Sequence, residues 1–123
     1  MKGPLDRFPY ERDARSRELR PGIKDGVYVF VQDKSGVIFV LPEGAHLHPK
    51  VLGGAQPAMY AGDLTVFHGS IQDITNLSGT FQFSDAAGLL AVAEAVKHLG
   101  FFIMPGAVRL FSYVDSSRPV VLR

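Results

Sequence analysis

Two short runs of β-branched and aromatic residues constrain the fold of this chain more than any other feature. They span residues 27–31 and 37–41, and the five residues between them have the composition of a hairpin loop. Both runs are apolar at every position, which indicates strands that lie centrally in a sheet and are covered on both faces. The pair therefore predicts a central β-hairpin.

The rest of the pattern predicts a second hairpin and one helix. Residues 64–67 and 71–75 form strands around a turn at His68-Gly69-Ser70. Ser84 is predicted to cap a helix over residues 85–99, because apolar residues recur there at helical spacing. This apolar stripe consists of Leu89, Val92, Ala93 and Val96, and further strands are predicted at 101–104, 108–114 and 119–122.

This order of elements indicates an α+β domain, a mainly antiparallel sheet of five to seven strands with one helix packed on a face. Aromatic side chains in strands usually pack against such a helix. The predicted aromatic core consists of Phe81, Phe83, Phe101, Phe102 and Phe111.

Composition excludes several classes of protein. The chain of 123 residues has no cysteine, so disulfides, thiolate nucleophiles and cysteine-based zinc sites are absent. Its formal net charge of +1 argues against a dedicated nucleic-acid binder. The sequence has neither an apolar run of the roughly 20 residues that span a bilayer nor a hydrophobic signal segment. We therefore expect a cytoplasmic protein with no membrane partner.

Charge divides the chain into two parts. Residues 1–25 hold 12 of the 25 charged side chains, with both signs interspersed. We interpret residues 1–22 as a charged, partly flexible arm and residues 23–123 as a single domain. The arm is either frayed, as termini often are, or binds a partner or a second copy of the chain. Its apolar residues, which are too sparse to form a core, are Leu5, Phe8, Tyr10 and Leu19. Phe8 and Tyr10 could anchor the arm on the body of the domain or on a partner.

A long loop is predicted between the two hairpins. Glycine and proline occur six times between residues 42 and 58, and such a segment does not hold a regular element for long. Loops above about 12 residues are uncommon inside a compact domain unless they are functional. This loop is therefore the first candidate for a site.

Small residues within 26–100 resemble the pattern of a known family. The sequence contains His48-Pro49-Lys50, Gly53-Gly54, Ala61-Gly62, a turn at Gly69 and Ser78-Gly79-Thr80-Phe81. In order and spacing these residues resemble a small domain found in plant IQ-motif calmodulin-binding proteins and in bacterial toxin-like or effector-like multidomain proteins. The family pattern has His-Ser-Ser at the first position and Ser-Gly-His-Tyr at the last.

The departures from that pattern bear on function. Pro49-Lys50 replaces the two serines, Thr80 replaces the second histidine, and the IQ motif is missing. The resemblance therefore implies a related fold and a bacterial toxin or effector setting, but it implies neither calmodulin binding nor a retained activity.

The sequence offers few candidate residues for metal binding or catalysis. His46-Leu47-His48 is an H-x-H pair that would suit a metal ion with Asp63, Glu43 or His68, but two ligands do not make a site, so no metal or other cofactor is predicted. Acid–base or nucleophilic work would need hydrogen-bond contact among side chains such as His48, Asp63, His68, Ser78 and Thr80. The Asn76-Leu77-Ser78 sequon is interpreted as turn-forming residues.

The sequence leaves two hypotheses for the function of the protein. The preferred hypothesis is a non-enzymatic protein-interaction module, which binds a protein or peptide partner or itself through the 42–62 loop and a sheet edge. The alternative is a small enzyme or ligand-binding domain with a polar pocket around His48, Asp63 and Thr80. The predicted binding residues are His46, His48, Lys50, Gly53, Gly54, Tyr60, Ser78, Gly79 and Thr80.

Overall fold

The computed structural model describes residues 1–43, 48–78, 80–113 and 118–122. The described chain contains two helices, α1 (His48–Leu52) and α2 (Ala86–His98). Its strands are β1 (Arg17–Glu18), β2 (Gly26–Gln32), β3 (Ile38–Pro42), β4 (Tyr60–Phe67), β5 (Ser70–Thr75), β6 (Phe102–Ile103), β7 (Val108–Leu110) and β8 (Val120–Val121).

These strands form one mixed sheet in the order β1-β3-β2-β4-β5-β7-β8, and β6 also pairs with β5. The pairs of β5 with β6 and with β7 are parallel, and the remaining pairs are antiparallel. A parallel neighbour of β5 is possible because α2 carries the chain back across the sheet before β6 begins. The predicted α+β fold with a mainly antiparallel sheet and a helix on one face is confirmed.

The first predicted hairpin is β2 and β3. Its loop is closed by Asp33, whose carboxylate accepts the backbone N–H groups of Ser35 and Val37, while Gly36 adopts a positive φ of 86°. Strand β2 lies between β3 and β4, and its residues from Tyr28 to Gln32 are all buried. The predicted central position is therefore correct.

The second predicted hairpin is β4 and β5. Its two-residue turn is His68-Gly69, with φ values of 50° and 76°. Positive φ at both central residues is the geometry that matches the right-handed twist of paired strands. Strand β4 is longer than predicted and begins at Tyr60.

Helix α2 lies where the apolar periodicity predicts it, and its stripe Leu89, Val92, Ala93 and Val96 is fully buried. The predicted cap is wrong by one residue. Asp85, not Ser84, has the extended backbone of an N-cap, and its carboxylate accepts the N–H of Gly88 at 2.8 Å. A carboxylate also interacts favourably with the positive end of the helix dipole.

The aromatic core is partly as predicted. Phe81, Phe83 and Phe101 are buried, whereas Phe102 is 63% exposed and Phe111 is partly buried. Adjacent residues of an extended segment point to opposite faces, so Phe101 and Phe102 cannot both face α2. Of the predicted strand 108–114, Val108–Leu110 forms a strand, residues 111–113 do not, and Val114 lies outside the described residues.

The segment between β3 and β4 is not entirely irregular, because it contains the five-residue helix α1. Val51 of α1 is fully buried, and α1 contacts β2 and β3. Leu19 of the predicted arm joins the core of the domain, since it is fully buried and donates its N–H to the carbonyl of Ile38. None of the helices in the described chain is long and apolar enough to cross a bilayer.

Candidate functional site

Residues 2–16 of the arm lie along one continuous surface of the domain. Lys2 exchanges both backbone hydrogen bonds with Ala58, and Leu5 donates its N–H to the carbonyl of Thr80 at 2.6 Å. Further along, Gly54 donates to the carbonyl of Tyr10 at 2.7 Å, and Asp13 donates to the carbonyl of Lys50 at 2.8 Å. The Ser16 hydroxyl donates to the carbonyl of Val51 at 2.7 Å. We call the residues that receive the arm the arm-binding surface, which comprises Lys50, Val51, Gly53, Gly54, Ala58 and Thr80.

Side chains add little apolar burial to this contact. Leu5 and Phe8 are 67% and 63% exposed, and in the described arm Pro4 and Leu19 are the buried residues. The cationic side chains instead lie over aromatic rings, with Lys50 Nζ 5.4 Å from the Tyr10 ring centre and the Arg12 guanidinium 4.9 Å from that of Phe39. The arm is therefore held mainly through its backbone.

Glycine is required where the arm comes closest. A Cβ added to Gly53 would lie 2.5 Å from the backbone nitrogen of Arg12, so no larger residue fits beneath the docked arm. Gly53, Gly54 and Ala55 are consecutive left-handed residues, with φ values of 76°, 62° and 54°. For Ala55 this conformation is strained, and such strain is concentrated at functional segments.

Four of the predicted binding residues share this surface: Lys50, Gly53, Gly54 and Thr80. The hydroxyl of Thr80 accepts the N–H of Asp6 at 3.1 Å, so the hydroxyl and the carbonyl of Thr80 both contact the arm. His46 and Gly79, which were also predicted, lie outside the described residues.

Tyr60 and Ser78 have structural partners elsewhere. Tyr60 is 1% exposed, stacks on Phe83 and donates its hydroxyl to the carbonyl of Asp85 at 3.0 Å, and burial raises its pKa. The backbone N–H of Ser78 donates to the hydroxyl of Tyr113 at 2.9 Å. These two predicted residues therefore face the interior of the domain.

His48, at the start of α1, is nearly buried against β4. Its Nε2 lies 2.8 Å from the carbonyl oxygen of Gly62, which can only accept, so Nε2 carries the proton. Burial lowers the pKa of His48, which keeps the ring neutral near pH 7. Gly62 itself has no room for a side chain, because a Cβ there would meet the carbonyl oxygen of Thr75.

Asp63 lies beside His48, and the pKa of its carboxyl group is raised. Burial, with the negative charges of Glu43 and Asp73 as further causes, raises the pKa of Asp63 to about 6. One carboxylate oxygen lies 3.9 Å from His48 Nε2, which is too long for a hydrogen bond. Of the three residues predicted to form a polar pocket, His48 and Asp63 are thus neighbours, whereas the Thr80 hydroxyl accepts a hydrogen bond from the arm.

Sequence reasoning missed the polar hub at Asn76. Its side-chain amide donates to the carbonyls of Phe83 and Phe111, and its Oδ1 accepts the N–H of Phe111 at 2.7 Å. The hydroxyl of Tyr113 donates to the backbone carbonyl of Asn76. Asn76 was predicted only as a turn former, and a sequon gives no sign of the partners that lie 35 residues away.

Among the described residues, no group of three histidine, aspartate or glutamate side chains is arranged to hold a metal ion. Comparison with family models, with curated proteins and with solved structures finds no match to this chain. The geometry described above is therefore the basis for assigning a function.

Proposed function

We propose that this protein is a non-enzymatic protein-interaction module whose arm-binding surface recognises an extended peptide segment. The observation that carries the proposal is the docking of residues 2–13 through five backbone hydrogen bonds of the described chain. Recognition of main-chain groups is the mode by which domains bind extended partners with little demand on their sequence. In the single chain, the arm occupies the place that we assign to the partner segment.

The weak contact between the arm and the domain supports the exchange of the arm for a partner segment. A hydrogen bond contributes only about 0.5–1.5 kcal/mol net, and segments with little apolar burial open at the lowest cost. Leu5 and Phe8 remain largely exposed in the docked arm. A partner segment with more apolar contact would therefore displace the arm.

The test uses a synthetic peptide of residues 1–16 and a full-length chain with Leu5→Pro and Asp13→Pro. Proline removes both N–H donors, which weakens the docking of the chain's own arm and leaves the arm-binding surface intact. Fluorescence anisotropy should show the labelled peptide binding this variant at least about ten-fold more tightly than the wild-type chain, whose own arm competes.

The control peptide is methylated at the backbone nitrogens of Leu5 and Asp13. It lacks the same two donors and should bind about ten-fold more weakly, as expected for two hydrogen bonds. Equal binding of the two peptides, or no binding of either, would contradict peptide recognition by main-chain groups.

A second copy of the chain is one source of such a segment, because its arm is the same peptide. Sedimentation of the wild-type chain over a range of concentrations would detect dimers formed by exchanged arms.

The association with a bacterial toxin or effector system rests on the family resemblance alone. A toxin or effector gene beside the gene of this protein would support it, and a neighbourhood of unrelated genes would count against it.

The alternative function, a small enzyme or ligand-binding domain, is favoured by one observation, the pKa of about 6 at Asp63 beside His48. A carboxyl with that pKa is suited to accept a proton near neutral pH. The two functions are separated by Asp63→Asn in the Leu5→Pro/Asp13→Pro chain, which removes the titrating carboxyl outside the arm-binding surface. It should leave affinity for the 1–16 peptide within about three-fold if the protein is a peptide-binding module, whereas the alternative requires this carboxyl for ligand binding or turnover.

A further inference from the structure

A cleft of about 370 Å³ lies at the edge of the sheet, beyond the arm-binding surface. Strand register brings its walls together, since Arg17 pairs with Val40, and Pro42 pairs with Tyr28. Directly paired residues share a face of a sheet. Its apolar lining residues are Ile23, Tyr28, Val40 and Pro42, of which Ile23 and Pro42 are the accessible ones.

Two cations at the rim of this cleft have no anionic partner among the described residues. Within the described chain, the Arg17 guanidinium donates one hydrogen bond, to the carbonyl of Arg15 at 3.4 Å, and neither Arg17 nor Lys24 forms an ion pair. Arg15, also at the rim, is compensated by Asp13 at 3.1 Å. Arg17 and Lys24 therefore leave a positive field over an apolar cleft.

The acidic side chains close to these cations in sequence are already engaged. Glu18 pairs with Arg20 at 3.0 Å, and Asp25 accepts the backbone N–H of His68 at 2.8 Å. The Tyr28 hydroxyl donates to the carbonyl of Lys24 at 2.7 Å, which fixes the ring as one wall. Asp25 keeps its negative charge, but no carboxylate of the described chain forms an ion pair with Arg17 or Lys24.

We propose that this cleft binds a small phosphomonoester with an apolar body. The phosphate lies between Arg17 and Lys24, since guanidinium groups bind phosphate oxygens in pairs and lysine adds a point charge. The apolar body lies against Ile23 and Pro42, the apolar lining residues that are accessible. The volume falls within the range of about 300–1,000 Å³ that is typical of small-molecule sites.

Phenyl phosphate is the probe, added to the wild-type full-length chain and followed by amide NMR. We expect saturable shifts at Gly22, Ile23 and Lys24 with a dissociation constant of about 1 mM or tighter. Inorganic phosphate should bind several-fold more weakly because it cannot use the apolar walls. No saturable shift, or equal binding of the two anions, would overturn the proposal.

Charge-removing variants complete the test. Arg17→Gln combined with Lys24→Gln should weaken phenyl phosphate binding about ten-fold or more, whereas Lys34→Gln, in the β2–β3 loop, should leave it within about two-fold. Both variants must keep the dispersed amide spectrum of the wild-type chain. If the double variant binds as the wild-type chain does, Arg17 and Lys24 do not form the site.

Discussion

The ring of His48 donates its Nε2–H to the backbone carbonyl of Gly62 over 2.8 Å. This bond links α1 to β4. His48→Ala removes this donor from a carbonyl whose residue, Gly62, is also paired with Phe30 of β2, and we expect a loss of about 0.5–1.5 kcal/mol in the free energy of unfolding. Urea denaturation at pH 7 measures it.

The matched control is His48→Gln, which keeps a donor on a side chain of similar reach. His48→Gln should recover part of the free energy of unfolding that His48→Ala loses. If His48→Ala is as stable as the wild-type chain, the bond to Gly62 does not hold α1 in place.

The acidity of Asp63 predicts a pH-dependent stability. Its pKa rises from 3.8 to about 6 on folding, so the folded chain binds a proton that the unfolded chain releases between those values. The stability linked to this proton is present below about pH 4 and is lost as the pH rises through about 6. The full cost at pH 7 is on the order of 3 kcal/mol.

Asp63→Asn removes this titration. The variant should be more stable than the wild-type chain at pH 7 and should lose that advantage by pH 4. His48 has the opposite sign, since its lowered pKa destabilises the folded chain on acidification. The difference between variant and wild type, measured by denaturation from pH 4 to pH 7, isolates Asp63, and a pH-independent difference would contradict the raised pKa.

Asn76 joins β5 to the segments that contain Phe83 and Phe111. Asn76→Ala would leave two carbonyls and one N–H unpaired in a buried position, and we expect a loss of about 3 kcal/mol or more. Tyr113→Phe removes only the hydroxyl at the margin of this network and should cost less. Thermal unfolding compares the two, and an equal loss would show that Asn76 is not the hub.

The sequence predicts both hairpins and α2 because each carries a local signal. Strand pairs appear as apolar runs around turn residues, as at His68-Gly69, and α2 appears as the apolar spacing of Leu89, Val92, Ala93 and Val96. The exact cap was not predictable, since Ser84 and Asp85 are both good cap residues and only the backbone geometry selects Asp85.

The backbone contacts through which the arm docks were not predictable, for a physical reason. Its contacts at Leu5, Tyr10 and Asp13 use backbone groups, which every residue type except proline supplies in full. Leu19 shows the same limit, because an isolated leucine among charged residues does not reveal that it enters the core. The glycine requirement at Gly53 is the one feature of this surface that the residue types alone indicate, as part of Gly53-Gly54.

The most direct test of the arm-binding surface compares Gly53→Ala with Gly54→Ala, each in the Leu5→Pro/Asp13→Pro chain. Both glycines have positive φ, but a Cβ at Gly53 would lie 2.5 Å from the Arg12 nitrogen, whereas the nearest atom to one at Gly54 is 4.0 Å away. Binding of the 1–16 peptide should fall about ten-fold or more with Gly53→Ala and change by less than about three-fold with Gly54→Ala. Equal affinities in the two variants would contradict recognition of an extended segment at this surface.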